Sequence, residues 1–289
     1  MDGVILINKE SGYTSRDVVN LVGKYFHTKK IGHTGTLDPM AEGVLVLCVG
    51  KATKLVEVLT HDEKEYVAEI TLGIQTDTFD LEGKIEKEED VLRTKEEIID
   101  VLNSFVGSYE QEVPIYSAVK IKGRKLYDYA RHGEKIDLPK REVRIKELEL
   151  IGDPVMKDGH TVFLIRTVVS KGTYIRALVR DIASKLNTYG MMSKLTRTRV
   201  GSFKIENASR LQDIVDGNYH VFSLLEVMDE YPKERVDTKV EAKIRNGMIL
   251  ENHYDKFPIL FLDQEEKPLA LYQQYEKNPT KIKPWKTFF

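Results

Sequence analysis

The residues best suited to chemistry lie in one polar stretch, Gly32-His33-Thr34-Gly35-Thr36-Leu37-Asp38-Pro39-Met40-Ala41-Glu42-Gly43. It carries a carboxylate, Asp38, and an imidazole, His33, among three glycines and a proline that forbid a long helix. A loop of this kind lets its backbone approach a ligand closely, so it can hold reactive groups on a rigid scaffold. Taken alone, an Asp before a Pro reads equally as a turn residue or a helix cap. Arg176 falls near the start of a helical stretch, where a cation opposes the helix dipole and a nearby carboxylate or phosphate would be welcome. Tyr66 heads an alternating stretch with its ring turned inward, as a core tyrosine would also be.

These groups need elements to position them. Residues 3–7 read as a strand, and Thr14 or Ser15 caps a helix with Val18, Val19, Val22 and Phe26 on one side. After the polar loop, 44–50 has the continuous apolar character of a strand covered on both faces. Lys54 stands early in the helical spacing of 51–60, and 66–73 alternates with period two, placing Tyr66, Ala68, Ile70 and Leu72 on one face. Thr94 and Glu97 form a capping box that opens a helix through Ile98, Ile99, Leu102 and Phe105. Residues 161–169 form an apolar strand, and Thr173 is expected to cap the helix that follows, with Tyr174 and Arg176 in its first turn. From about Met228 the chain changes style and passes into strand-like runs at 258–262 and 268–272, a small appended unit.

A chain of 289 residues has room for one large domain and a small appendage. The apolar share is 41% and the charged share 31%, and no apolar run reaches the roughly 18 residues of a membrane span. The lone cysteine, Cys48, can form no internal disulfide and no zinc cluster, so the cytoplasm is the simplest compartment. With 44 basic against 46 acidic residues, the overall charge of -2 does not announce a nucleic-acid binder. Local clusters matter more, because a phosphate chain responds within roughly 8–10 Å. Lys120, Lys122, Arg124 and Lys125 form one such cluster, Lys140, Arg141 and Arg144 a second, and Lys194, Arg197 and Arg199 a third. Each reads first as a solvated face, and Lys9 as a surface lysine.

The loop from Gly32 to Leu45, with Gly-His-Thr-Gly-Thr-Leu-Asp-Pro-x-Ala-x-Gly-Val-Leu, resembles the signature of the TruB family of RNA pseudouridine synthases. Further motifs of that family follow in order: Lys64-Glu65-Tyr66, then Tyr116-Ser117-Ala118-Val119-Lys120, then Ser170-Lys171-Gly172-Thr173-Tyr174-Ile175-Arg176. The resemblance covers roughly the first two hundred residues. Glu10 stands where the family usually has proline, and Thr196 and Ser202 replace its usual arginine and proline.

The resemblance implies an α+β fold with a mixed, largely antiparallel central sheet flanked by helices. It implies a catalytic domain over 1–228 with a basic RNA-binding insertion at about 120–150, a mobile flap, and a PUA-like, β-rich RNA-binding domain over 229–289. The expected reaction is isomerisation of uridine to pseudouridine in the T-loop of tRNA, position 55. It breaks a C–N bond and makes a C–C bond between the same fragments, so neither cofactor nor metal is required, and a carboxylate nucleophile suffices. Asp38 takes that role, attacking either the sugar C1′ or the uracil C6, or acting through a glycal-like elimination. Arg176 pairs with it and holds it ionised and aimed. Tyr66 stacks on the uracil and assists removal of the C5 proton, and Tyr174 and Leu195 complete the pocket wall. His33 is the candidate for the space left by the extruded base, and Lys54 for a phosphate contact. Asp77 and Asp80 either meet RNA bases or bond their own backbone, the second being preferred. The expected partner is the tRNA T-arm, with no membrane, no obligate protein partner and a monomeric chain. Two other readings share the loop: the catalytic subunit of a guide-RNA complex, and a tRNA-folding chaperone for which Asp38 would be dispensable.

Overall fold

In the computed structural model, which describes residues 1–60 and 63–289, the uninterrupted apolar start of the chain forms β1 (Gly3–Lys9). Thr14 then caps α1 (Ser15–Tyr25) in a reciprocal box with Asp17, and the helix buries Val18, Val19 and Val22. The polar loop runs from β2 (Ile31–His33) into β3 (Glu42–Val49), which is buried along all but its first residue. Gly50, in the left-handed region, turns the chain into a 3₁₀ turn and then the short α2 (Val56–Leu59), so 51–60 is not one regular helix. β4 (Lys64–Leu72) alternates as its sequence predicts.

β5 (Ile74–Thr76) and β6 (Ile85–Glu88) form a side hairpin, and Thr94 caps α3 (Lys95–Asn103) in a box with Glu97. After β7 (Gly107–Glu112) comes an excursion with a two-residue hairpin, β8 (Lys120–Ile121) and β9 (Arg124–Lys125), and α4 (Leu126–Arg131). The chain returns to the sheet at β10 (Lys140–Lys157), followed by β11 (His160–Val169), α5 (Ile175–Lys185), β12 (Gly190–Val200) and β13 (Phe203–Lys204). The alternating apolar residues of 141–151 therefore belong to a sheet strand, with Val143, Ile145 and Leu148 buried, and the excursion outside the sheet is 113–139.

The main sheet runs in the order β1-β3-β12-β4-β11-β10-β7, and β3 with β12 is its one parallel pair among the described residues. β3 offers one edge to β1 along its length. Its other edge is shared, because β12 pairs only at Glu42 and Gly43 while β2 pairs at Leu47 to Val49. The polar loop, 34–41, fills the split between these two partners. One face of the sheet packs on α5 and α3 through Ala68, Ile70, Ile98, Leu178 and Ile182; the β1–β3 end packs on α1 and on α6 (Leu211–Asp216).

After α7 (Leu224–Val227), a second sheet forms from β14 (Lys233–Arg235), β15 (Leu250–Glu251), β16 (Ile259–Leu262), β17 (Pro268–Gln274) and β18 (Lys281–Thr287), with α8 (Thr238–Arg245) against it. Alternation divides its faces. Ile259, Phe261 and Tyr272 pack with Ile244 of α8, while Leu260, Leu262, Leu271 and Phe288 join Val46, Cys48 and Leu55 of the larger body. Among the described residues, no helix is long and apolar enough to cross a membrane.

Candidate active site

Asp38 lies in a loop that buried groups hold from three sides. Lys9, at the end of β1, is fully buried, and its Nζ donates to the carbonyls of Glu10 (3.1 Å), Tyr13 (2.6 Å) and Pro39 (3.0 Å). Burial pushes the Lys9 ammonium below the ordinary lysine range, against the opposing attraction of Glu42 and Asp38. Ser15, buried at the start of α1, accepts from the Leu37 amide at 2.8 Å and donates to the Leu37 carbonyl at 3.0 Å. Arg197 of β12, 1% exposed, donates to Val44 O (2.7 Å), Gly35 O (3.1 Å) and Thr36 O (3.4 Å). Gly43 makes room for that arginine strand: its φ is +102°, and a Cβ there would meet Arg197 O at 2.2 Å.

The reading of Lys9 and Arg197 as surface cations is thus corrected. Both are buried because each satisfies carbonyls that a loop of this shape cannot pair within itself. A signal for Arg197 was present in the sequence. It shares strand parity with the inward Leu195, and the structure pairs it across the strands with the inward Tyr66.

Arg176 meets Asp38 across the cleft, its Nε 3.0 Å from Asp38 Oδ2. The guanidinium is 7% exposed, whereas the Asp38 carboxylate is 37% exposed and faces the opening. Three of the four remaining N–H groups meet Thr78 O at 3.1 Å, Tyr116 O at 3.0 Å and, at 3.5 Å, the buried Asp80 carboxylate. A planar fork with five N–H groups suits this four-way junction, as an ammonium would not. The helix dipole at α5 is unfavourable to the arginine, and these two carboxylates answer it.

Thr173 does not cap α5. Tyr174 occupies the N-cap, and Gln111 of β7 serves it from outside, accepting from Tyr174 N (2.8 Å) and donating to Tyr174 O (3.1 Å). Asp80 sits in a turn where Phe79 adopts φ +61°, and it accepts from the Glu82 amide at 3.1 Å. Its expected backbone bonding is present, but so is the Arg176 contact, which local sequence does not reveal. Nearby, Tyr116 OH donates to Asp77 Oδ2 at 3.2 Å, and burial, with Asp77 second, pushes the phenol upward. Burial, then Asp80 and Asp38, also raises the Glu82 carboxyl above its usual range.

A cleft of about 470 Å³ opens over Asp38 and Arg176 and is lined by Tyr66, Tyr174 and Leu195 as well. Five of the seven residues singled out from the sequence therefore converge. The other two lie elsewhere. His33, on β2, is outside the cleft lining, and burial, then Arg197 and Arg16, holds its imidazole below the ordinary range. Lys54 is exposed and donates to Thr287 Oγ1 of the second sheet at 3.2 Å. Ser117, Ala118 and Tyr127 bring the 113–139 excursion over one side of the cleft. Chemically, the arrangement is a half-exposed carboxylate fixed by a buried guanidinium, beside an apolar and aromatic wall.

Comparison with known proteins gives a consistent set of relatives. Residues 23–175 match the model for the N-terminal domain of the TruB family pseudouridylate synthases, and 176–229 match the model for the tRNA pseudouridylate synthase B C-terminal domain. A protein of Bacillus cereus named tRNA pseudouridine synthase B is 39% identical over 297 residues, covering 99% of this chain and 97% of the relative. One of the same name from Caldanaerobacter subterraneus subsp. tengcongensis is 45% identical over 256 residues, 88% of each chain. Among solved structures, a chain of a Cbf5-Nop10-Gar1 complex superposes with a TM-score of 0.68 at 27% identity, covering 94% of this chain and 78% of that one.

Proposed function

The chain belongs to the TruB family of pseudouridylate synthases, and we propose that it isomerises uridine to pseudouridine at position 55 in the T-loop of tRNA, with Asp38 as nucleophile. The observation that carries the assignment of Asp38 is its 3.0 Å pairing with the buried Arg176 at the mouth of the cleft. Arg176 is itself fixed by three other acceptors, so the carboxylate is aimed before substrate arrives and loses little freedom on reaction.

The target base leaves its stack and enters the cleft, at a cost of a few kcal/mol that pocket contacts offset. Tyr66 stacks on it and assists transfer of the C5 proton; Tyr174 and Leu195 form the wall. His33 stands beside the loop that the RNA must pass and fills the space the base vacates. Lys54 contributes a positive charge toward phosphate from the junction of the two sheets. The excursion over 113–139 closes on the RNA arm, and the unit 229–289 adds a second RNA-facing surface. No guide RNA or protein partner is needed, the chain works as a monomer, and its substrate places the reaction in the cytoplasm.

The guide-RNA reading draws on the Cbf5 likeness, but that rests on 27% identity against 39% to a protein named for tRNA. Incubation of the purified chain alone with an unmodified tRNA transcript tests the proposal. A single pseudouridine at position 55, lost when that uridine is replaced by cytidine, is the expected product. Modification at another site, or only after a guide RNA is added, would overturn it.

A further inference from the structure

Among the described residues, the buried side-chain polar atoms without a hydrogen-bond partner are His33 Nδ1, Thr34 Oγ1, Ser117 Oγ and His160 Nδ1. Two of these residues, Thr34 and Ser117, line the cleft that contains Asp38 and Arg176. Thr34 is 1% exposed and Ser117 is 5% exposed, so neither hydroxyl is free to satisfy itself in bulk water. They come from opposite parts of the chain, Thr34 from the loop after β2 and Ser117 from the excursion over the cleft. Their backbones are anchored, Thr34 N to Val46 O and Ser117 N to Ile115 O, which leaves the hydroxyls as the unspent groups. A buried hydroxyl with no partner is a standing cost to the folded state, and a site that tolerates two of them beside its chemistry points to a ligand that fills them.

We propose that Thr34 and Ser117 hydrogen-bond the uracil ring in the cleft and keep hold of it while it turns. This rests on the pseudouridine synthase reading above. In the isomerisation the N1–C1′ bond breaks, the C5–C1′ bond forms, C5 gives up its proton and N1 gains one. Bringing C5 to the place of N1 is equivalent to a half-turn about the line through N3 and C6, which exchanges C2=O with C4=O and leaves N3–H in place. A serine or threonine hydroxyl rotates and offers one donor with two acceptor sites, so it can engage the ring's carbonyl, N–H, carbonyl edge in either orientation. Fixed amide donors would match only one.

The test compares Thr34→Val, Ser117→Ala and the hydroxyl-retaining Thr34→Ser in the full chain, on an unmodified tRNA transcript carrying 5-tritiated uridine. Single-turnover tritium release, tRNA affinity and melting temperature are read for each. Thr34→Val and Ser117→Ala should each slow release by about tenfold, the equivalent of one hydrogen bond, with tRNA affinity unchanged. Their melting temperatures should stay level or rise, because an unsatisfied buried hydroxyl has been removed, and Thr34→Ser should stay close to the parent rate. Parent-like rates in Thr34→Val and Ser117→Ala would overturn the proposal, and so would slowing matched by a fall in melting temperature. A parent that binds tRNA yet releases no tritium would overturn the underlying functional reading, and this inference with it.

Discussion

The Asp38 loop and the excursion over 113–139 form facing walls of one cleft and are held in opposite ways. The loop's carbonyls at Gly35, Thr36, Leu37 and Pro39 are all taken by side chains from β1, α1 and β12, two of them buried cations. The excursion is held largely by itself. Arg124 pairs with Glu134 at 2.8 Å and lies 4.5 Å from the Tyr129 ring centre, Lys125 donates to Tyr127 OH, and of its apolar side chains only Val113, Pro114 and Leu126 are buried. Its polar ties to the body run through Tyr116, whose carbonyl takes a bond from Arg176 and whose hydroxyl meets Asp77. One wall holds the Asp38 carboxylate through buried cations, and the other is tied to the core by few contacts.

Arg197→Met should separate the two walls most sharply. It keeps the side-chain length but removes the donors to two loop carbonyls, Gly35 and Thr36, and to Val44 O of β3, so we expect a loss of about 3 kcal/mol in urea unfolding and near-complete loss of turnover. A variant of parental stability would mean that the loop is not held by this arginine. Next in size is Arg176→Lys. An ammonium can reach Asp38 but cannot also span Thr78, Tyr116 and Asp80, and the misaimed carboxylate should lower the single-turnover rate by ~10²-fold with tRNA affinity kept.

Acid should reveal the loop's sensitivity more gently. The His33 imidazole is held below its ordinary value of 6.5, so as pH falls through that value the unfolded chain takes up a proton that the folded chain refuses. Its contribution is complete above that ordinary value and declines from there down to the depressed folded one. His33→Gln should therefore flatten the fall of melting temperature over that window, and an unchanged profile would contradict the assignment. The smallest effect belongs to the other wall. Arg124→Ala should leave the melting temperature unmoved, since the side chain is at the surface, while protease cleavage within 113–139 becomes faster.

The contrast also explains what was legible in the sequence. The rhythm of β4, the capping boxes at Thr14 and Thr94 and the unbroken apolar run of β3 depend on neighbours in the chain, and each formed as its residues dictate. Asp38 and Arg176 could be named through motif resemblance, and five of seven nominated residues meet in the cleft. The buried role of Asp80 was not legible because its charge partner, Arg176, comes from a distant segment, nor was that of Lys9, whose acceptors are the backbone carbonyls of Glu10, Tyr13 and Pro39, which no sequence pattern marks. Composition assigns such charges to solvent, and only pairing reverses that assignment. The extent of the excursion was misjudged for a related reason. The alternating residues of 141–151 read as part of a basic segment until their apolar members are seen filling the sheet's core face.

The most direct test of the central claim is single-turnover tritium release from 5-tritiated uridine in a tRNA transcript by the Asp38→Asn variant. The carboxamide keeps the size of the side chain and removes its charge. The account predicts no release above background, with tRNA affinity and melting temperature close to those of the parent. Release at a rate comparable to the parent's would contradict Asp38 as the nucleophile.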